Sequence, residues 1–119
     1  MGLSGNNFIM ESLIYANEQI KDFMGCLLTA GTHNFRVKND CFWLFSDIIA
    51  VAITKLNKED FLNCVLEIKE DTAVLKIDDG NNNILYTQKY KYTDLKKDIK
   101  FYAVKNHLGT YTLMLPEEY

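Results

Sequence analysis

The chain has 119 residues, of which 48% are hydrophobic and 13% aromatic, a composition that excludes a disordered segment and fits one domain over residues 1–119. The formal net charge is only −3, so no overall field indicates nucleic acid or an acidic substrate. Three widely spaced cysteines among apolar neighbours favour free thiols in a reducing compartment. The chain begins without the basic start of a secretory signal, and no apolar run reaches the roughly 20 residues of a membrane span. We therefore expect a cytoplasmic protein that makes no membrane contact.

The first half of the domain, residues 6–56, is predicted to be helical. Apolar residues at helical spacing line one face of a first helix: Ile9, Leu13, Ala16, Ile20, Phe23 and Leu27. Residues 29–39 are predicted to form an ordered loop or a short extended piece. A second helix is predicted over residues 41–56, with Asn39 or Asp40 as its cap. Its nearly unbroken apolar sequence places it at the centre of the fold.

The second half, residues 61–116, is predicted to be an antiparallel sheet. From residue 62 the apolar pattern has a period of two, which is typical of half-buried strands. Five strands are predicted, at residues 62–69, 73–77, 84–92, 99–103 and 111–115. Short connections between successive strands favour a meander. The predicted fold class is α+β, with two N-terminal helices packed on a five-stranded antiparallel β-meander.

Two residues of the second helix could carry chemistry. Asp47 in an apolar helix could act as a general acid or base. The structural interpretation, in which it lies at the helix edge and bonds a backbone N–H or a tyrosine hydroxyl, is favoured because no second carboxylate or histidine follows at helical spacing. Cys41 near a helix N-terminus could be a nucleophile, but nothing in the sequence connects it to His33 or His107. No catalytic residue is therefore predicted, and a hydrolase that uses Asp47, Cys41 and a histidine is the alternative.

No metal ion and no cofactor are predicted either. The cysteines and histidines lack the spacing of structural zinc sites. The loop 78–82 offers oxygen ligands, but the twelfth position counted from Asp78 is Lys89 and not the glutamate of a calcium loop. The glycine-rich motifs that bind nucleotide phosphates, Gly-x-x-x-x-Gly-Lys and Gly-x-Gly-x-x-Gly, do not occur in the sequence.

Charge is distributed unevenly along the chain. Residues 57–82 carry seven acids against three lysines, and residues 89–105 carry six lysines against two aspartates, which predicts a bipolar surface. The lysines alternate with rings, a pattern that could hold a nucleic-acid backbone while the rings stack on bases. Alternation in a half-exposed strand, with tyrosines inward and lysines outward, produces the same pattern. The candidates for binding nucleic acid or a partner are Lys89, Lys91, Tyr92, Lys96, Lys97 and Lys100, and the acidic candidates are Glu70, Asp71, Asp78 and Asp79.

The apolar helix also carries a resemblance. Phe42-Trp43-Leu44-Phe45-Ser46-Asp47-Ile48-Ile49-Ala50 resembles the aromatic-Trp-Leu-x-x-Asp-x-Ile-Ala segment of a bacterial family of unknown function. Two more stretches are similar to segments of that family, Tyr92-Thr93-Asp94-Leu95 and the C-terminal Leu115-Pro116-Glu117-Glu118-Tyr119. Gly31-Thr32-His33-Asn34-Phe35 is a looser match, and the similarity covers residues 27–119.

The resemblance implies a small standalone protein, often encoded near mobile elements, without assigned catalytic residues. By analogy of setting it implies an inhibitor of a bacterial defence nuclease or ribonucleoprotein, similar to an anti-CRISPR protein, that binds protein or guide RNA. The predicted function is accordingly a small non-enzymatic binding module. The alternatives are a small RNA-binding protein that uses the Lys/Tyr strand face, the hydrolase named above, and a homodimer that covers the sheet edges.

Overall fold

The structure, a computed structural model, describes residues 19–21 and 23–119. Its elements are β1 (Gln19–Lys21), a 3-10 turn (Phe23–Gly25), β2 (Leu27–Thr29), α1 (Ala30–Lys38), α2 (Phe42–Thr54), β3 (Phe61–Lys69), β4 (Thr72–Asp78), β5 (Ile84–Tyr90), β6 (Ile99–Lys105), β7 (Tyr111–Met114) and a C-terminal 3-10 turn (Pro116–Glu118). The fold class is α+β, with helices beside one mixed sheet. No helix in this part of the chain is long and apolar enough to cross a membrane.

The sheet is not a meander. Its strand order is β1-β2-β7-β6-β3-β4-β5, so β3 lies between β4 and β6. The five predicted strands are present and pair antiparallel, whereas β2 pairs with β7 in parallel. After β5 the chain returns across the sheet through residues 91–98, which we call the crossing loop. A connection of this length does not require neighbouring strands, and the prediction of a meander was wrong for that reason.

The predicted first helix is also wrong where the structure describes it. Ile20 lies in β1 and Leu27 in β2, and the turn between them holds Met24 at φ 56° and Gly25 at φ 80°. A left-handed backbone cannot continue a right-handed helix, so the helical spacing ends there. Pairing of β2 with β7 supplies the backbone hydrogen bonds instead. The part of the predicted helix before residue 19 lies outside the described residues.

Residues 29–39, predicted as a loop, contain the helix α1. Thr29 caps it, since its Oγ1 accepts a hydrogen bond from the Thr32 N–H at 3.2 Å. The Glu118 carboxylate of the C-terminal turn reaches the same end of the helix, where its Oε1 accepts from Thr29 Oγ1 at 2.6 Å. Gly31 leaves the space that this carboxylate needs, because a Cβ there would stand 2.7 Å from Glu118 Oε2.

The helix α2 confirms the predicted second helix within a few residues, but its predicted cap was wrong. Cys41 holds the N-cap position without a side-chain bond, and Asp40 has φ 49°. Asn39 instead closes α1, donating from Nδ2 to the Phe35 carbonyl at 3.0 Å. The buried side of α2 packs on the sheet through residues such as Phe45, whose ring centre lies 4.5 Å from that of Phe101.

The inward faces of the strands complete the core between sheet and helices. Alternate residues of β3, β4 and β6 are buried, as the period of two predicts. They are Leu62, Cys64, Leu66, Ala73, Leu75, Ile77, Ile99, Phe101 and Ala103. The hairpin between β4 and β5 has positive φ at Gly80 and Asn82, in agreement with the predicted turn at residues 78–82.

Candidate functional site

An open pocket of about 410 Å³ lies where α2 faces the end of β5. Trp43 and Asp47 of α2, four residues apart, share one side of the helix. Strand alternation turns Tyr90 of β5 towards them. We call this the aromatic pocket, and the described residues that line it are Trp43, Asp47, Tyr90, Tyr92, Thr93 and Asp94.

One hydrogen bond organises the aromatic pocket. The Tyr90 hydroxyl donates to Asp47 Oδ2 at 2.7 Å, and the Tyr90 ring packs on Trp43 with 4.9 Å between centres at 66°. Burial, and then the bond to Asp47, hold the pKa of Tyr90 well above its usual range, so the hydroxyl remains a donor. The predicted bond between Asp47 and a tyrosine hydroxyl is therefore present, with Tyr90 as the donor.

The crossing loop is hydrogen-bonded to the end of β3 and to the turn between β3 and β4. The Thr93 N–H donates to the Asp71 carbonyl at 2.7 Å, and Asp98 Oδ1 accepts from the Ile68 N–H at 2.7 Å. Within the loop, Thr93 Oγ1 accepts from the Leu95 N–H at 3.1 Å. The acidic residues Glu70 and Asp71 are therefore adjacent to the lysine-rich segment.

The basic candidates divide into two groups. Lys89 and Lys100 lie on the face of the sheet opposite α2, on β5 and β6, with β3 and β4 between them. Three strand spacings make that separation roughly 14 Å. Lys91, Tyr92, Lys96 and Lys97 lie in the crossing loop. Lys96 and Lys97 line a second cavity of about 490 Å³ together with Phe35, Asn39, three more loop residues and Ile99 of β6.

Tyr92 does not follow the predicted alternation. The strand β5 ends at Tyr90, two residues earlier than predicted. Tyr90 faces α2, as the inward-facing interpretation expects. Tyr92 lies beyond the strand end and is 71% exposed, because nothing in the sequence pattern marks where pairing with β4 stops.

The acidic candidates do not share a surface. One pair, Glu70 and Asp71, lies just before β4. The other pair, Asp78 and Asp79, lies at the end of that strand, so roughly 20 Å of strand separates the two pairs. Asp78 Oδ1 accepts from the Gly80 N–H at 2.7 Å. Asp79 accepts from the Asn83 side chain at 2.9 Å and from the Asn81 N–H, and these bonds lower its pKa. The second pair therefore shapes its own hairpin.

Cys41 has the environment of a structural thiol. It is fully buried, its Sγ lies 3.9 Å from the Arg36 carbonyl, and burial raises its pKa to about 11. His33 Nδ1 lies 2.8 Å from an Arg36 nitrogen, so it accepts a bond from the guanidinium. Within residues 19–21 and 23–119, no group of three or more His, Cys, Asp or Glu side chains could hold a metal ion. The geometry gives the hydrolase alternative no support.

An aromatic cluster on the outer face of the sheet was missed by sequence reasoning. Phe61, Tyr102 and Tyr119 pack with ring centres 4.9 to 5.4 Å apart. The Lys100 ammonium lies 5.5 Å from the Tyr102 ring centre, and Tyr119 is 73% exposed. Strand alternation would place Phe61 and Tyr102 outward, but only the pairing of β3 with β6 brings them together.

The four segments that carry the resemblance meet in two pairs. Trp43 and Asp47 line the aromatic pocket together with residues 92–94. The C-terminal Glu118 bonds Thr29 and Thr32 at the start of α1. Segments distant in sequence thus build the pocket and the closure of α1.

These observations define an α+β protein with a mixed sheet and a surface pocket between α2 and the crossing loop. The chain matches DUF6876, a family of unknown function, over residues 7–119, and it belongs to that family. No curated protein and no solved structure matches the chain.

Proposed function

We propose that the protein is a small non-enzymatic binding module whose contact surface is the crossing loop and the adjoining turn 70–71. The observation that carries this proposal is the exposed Tyr92, which lines the aromatic pocket and has lysines and carboxylates near it in the crossing loop. Tyrosine is enriched in interfaces because its ring buries much area for little entropy. A phosphate backbone favours lysines and arginines alone, so a surface of both charges suits a protein partner better.

The target in this proposal is a larger nuclease or ribonucleoprotein of a bacterial defence system, which the protein inhibits in the cytoplasm. Support for the target comes from the segments that resemble the bacterial family, which are residues 42–50, 92–95 and 115–119 and the looser match at residues 31–35. The geometry supports the binding surface. Inhibition through contact with a nucleic-acid channel needs no catalytic residue in the inhibitor.

The test uses two tyrosines of nearly equal exposure. Tagged wild type, Tyr92→Ala and Tyr119→Ala are used to capture partners from the native host, and captured protein and nucleic acid are both identified. If the crossing loop is the contact surface, Tyr92→Ala reduces capture about tenfold or more, the loss of an interface hot spot. Tyr119→Ala, at the C-terminus, leaves capture unchanged. Equal capture by wild type and Tyr92→Ala contradicts the proposal.

A second candidate is a small RNA-binding protein, favoured by the aromatic cluster beside Lys100 on the outer sheet face. Rings that stack on bases and a nearby cation are the elements of sequence-tolerant binding. In a mobility-shift assay with single-stranded RNA, affinity should fall steeply with salt, and Tyr119→Ala should weaken it while Tyr92→Ala does not. No RNA shift at low salt removes this candidate.

A further inference from the structure

The aromatic pocket combines three rings with two carboxylates. Trp43 and Tyr90 stand nearly edge to face, Tyr92 is largely exposed, and Asp47 and Asp94 lie among them. The face of a ring attracts a cation through its quadrupole, and a carboxylate adds a charge-assisted hydrogen bond. None of the described residues that line the pocket carries a positive charge. The lining is therefore complementary to a cation.

Asp47 is held in position for such a ligand. The Tyr90 hydroxyl donates to Oδ2 only, and a carboxylate has about four acceptor sites on its two oxygens. With respect to the described residues, Asp47 therefore keeps acceptors for another donor. Because the bond to Tyr90 orients the carboxylate beforehand, less entropy is lost when a ligand binds.

The elements that build the pocket already hold cations on rings elsewhere. The Lys55 ammonium lies 5.6 Å from the ring centre of Tyr86, four residues before Tyr90 on the same side of β5. The Arg36 guanidinium lies 4.3 Å from the ring centre of Phe42, the residue before Trp43. Ring–cation contacts therefore occur at two other rings of the elements that build the pocket.

We infer that the aromatic pocket binds an arginine side chain of the protein partner, between the rings and the Asp47 carboxylate. Arginine suits the pocket better than lysine, because its planar guanidinium both stacks on rings and offers a fork of donors to a carboxylate. The partner in this inference rests on the proposed function. Arginines are also the groups with which proteins hold phosphates, so a module that captures one competes with nucleic acid for it.

Trp43, the single tryptophan of the chain, reports directly on the pocket. The full-length protein is titrated with the peptide acetyl-Gly-Arg-Gly-amide and with its citrulline counterpart, which has nearly the same shape and no charge. The arginine peptide should change the tryptophan fluorescence saturably, with a Kd on the order of millimolar for so small a ligand. The citrulline peptide should give no saturable change over the same range.

Substitutions assign the binding to the two carboxylates. Asp47→Asn and Asp94→Asn should each weaken the arginine peptide about tenfold, the loss of one charge-assisted hydrogen bond. Asp94 is exposed, so its variant keeps the test valid if Asp47→Asn fails to fold. Glu117→Gln removes the same charge from the exposed C-terminal turn and should leave the Kd unchanged.

Three results would overturn the inference: no saturable response to arginine, an equal response to citrulline, or equal weakening by Glu117→Gln. The result of the peptide titration can be distinguished from the result of the capture experiment that tests the proposed function. Capture that depends on Tyr92, without any arginine response, retains the binding surface and removes its arginine ligand. An arginine response with capture independent of Tyr92 retains the pocket and removes the proposed contact surface.

Discussion

At the scale of single residues, the bond between Tyr90 and Asp47 joins an edge strand to the central helix. Its donor is neutral and its acceptor is charged, and such bonds contribute more than neutral ones. The same strand offers a neutral comparison, because the Tyr86 hydroxyl donates to Gln88 Oε1, also at 2.7 Å. A comparison of the two tyrosines therefore shows how much the charge of the acceptor adds to the stabilisation by the hydrogen bond.

Tyr90→Phe should lower the free energy of unfolding by about 1.5 kcal/mol, because it removes the only hydroxyl bonded to the half-buried Asp47 among the described residues. Tyr86→Phe should lower it by only about 0.5–1 kcal/mol, the loss of a neutral bond. Urea denaturation at pH 7 measures both variants. An equal loss of unfolding free energy in the two variants would show that the charge of the Asp47 carboxylate does not strengthen its hydrogen bond.

At the scale of elements, the C-terminal turn closes the start of α1. Glu118 Oε1 accepts from Thr29 Oγ1 at 2.6 Å and from the Leu115 N–H at 2.9 Å. Glu118→Ala should therefore lower the free energy of unfolding by about 1–2 kcal/mol and speed amide exchange in the first turn of α1. Denaturation and hydrogen exchange measure the two effects. Glu117→Ala, at the neighbouring acidic residue, should change neither.

The crossing loop depends on the buried Thr93. Its N–H donates to the Asp71 carbonyl and its Oγ1 accepts from the Leu95 N–H. Thr93→Val keeps the shape and loses the acceptor, which should destabilise the protein by about 1 kcal/mol and raise exchange of the Leu95 amide. Thr87→Val, at an exposed position of β5, is the control. An unchanged Leu95 exchange rate would mean that the loop is held by other contacts.

At the scale of the whole molecule, the core contains groups that favour their protonated forms. Burial raises the pKa of Cys64 and of Tyr111 to about 12, and that of Cys41 to about 11. Above about pH 9 the unfolded chain loses these protons first, so it binds fewer protons than the folded chain. The free energy of unfolding is therefore undiminished below pH 9 and falls as the pH rises towards 12.

Cys64→Ala tests this pH dependence. The variant lacks one of the groups, so between pH 10 and 11 its free energy of unfolding should fall less steeply, by about 1.4 kcal/mol per pH unit. Denaturant unfolding at several pH values under reducing conditions measures the slopes. If the free energy of unfolding depends on pH with the same slope in wild type and variant, Cys64 does not contribute to the pH dependence.

The sequence predicted those helices and strands whose apolar pattern fits only one kind of secondary structure. The period of two in β3 and the apolar run of α2 each match one buried face, so both were located within a few residues. It failed at α1, where Gly31 resembles a loop residue although it makes room for Glu118 from the far end of the chain. The strands β1 and β2 also escaped it, because their pairing in the sheet overrides a helical spacing.

By itself, the sequence determined the α+β class and the buried helix, and it favoured a hydrogen bond between Asp47 and a backbone N–H or a tyrosine hydroxyl. The tertiary structure alone decided that Tyr90 is the partner of Asp47, that β3 lies between β4 and β6, and that the acidic turn adjoins the lysine-rich loop. The physical reason is that periodicity records which side of an element is buried. Strand order and loop paths are set by which elements pack together, and no local pattern encodes that.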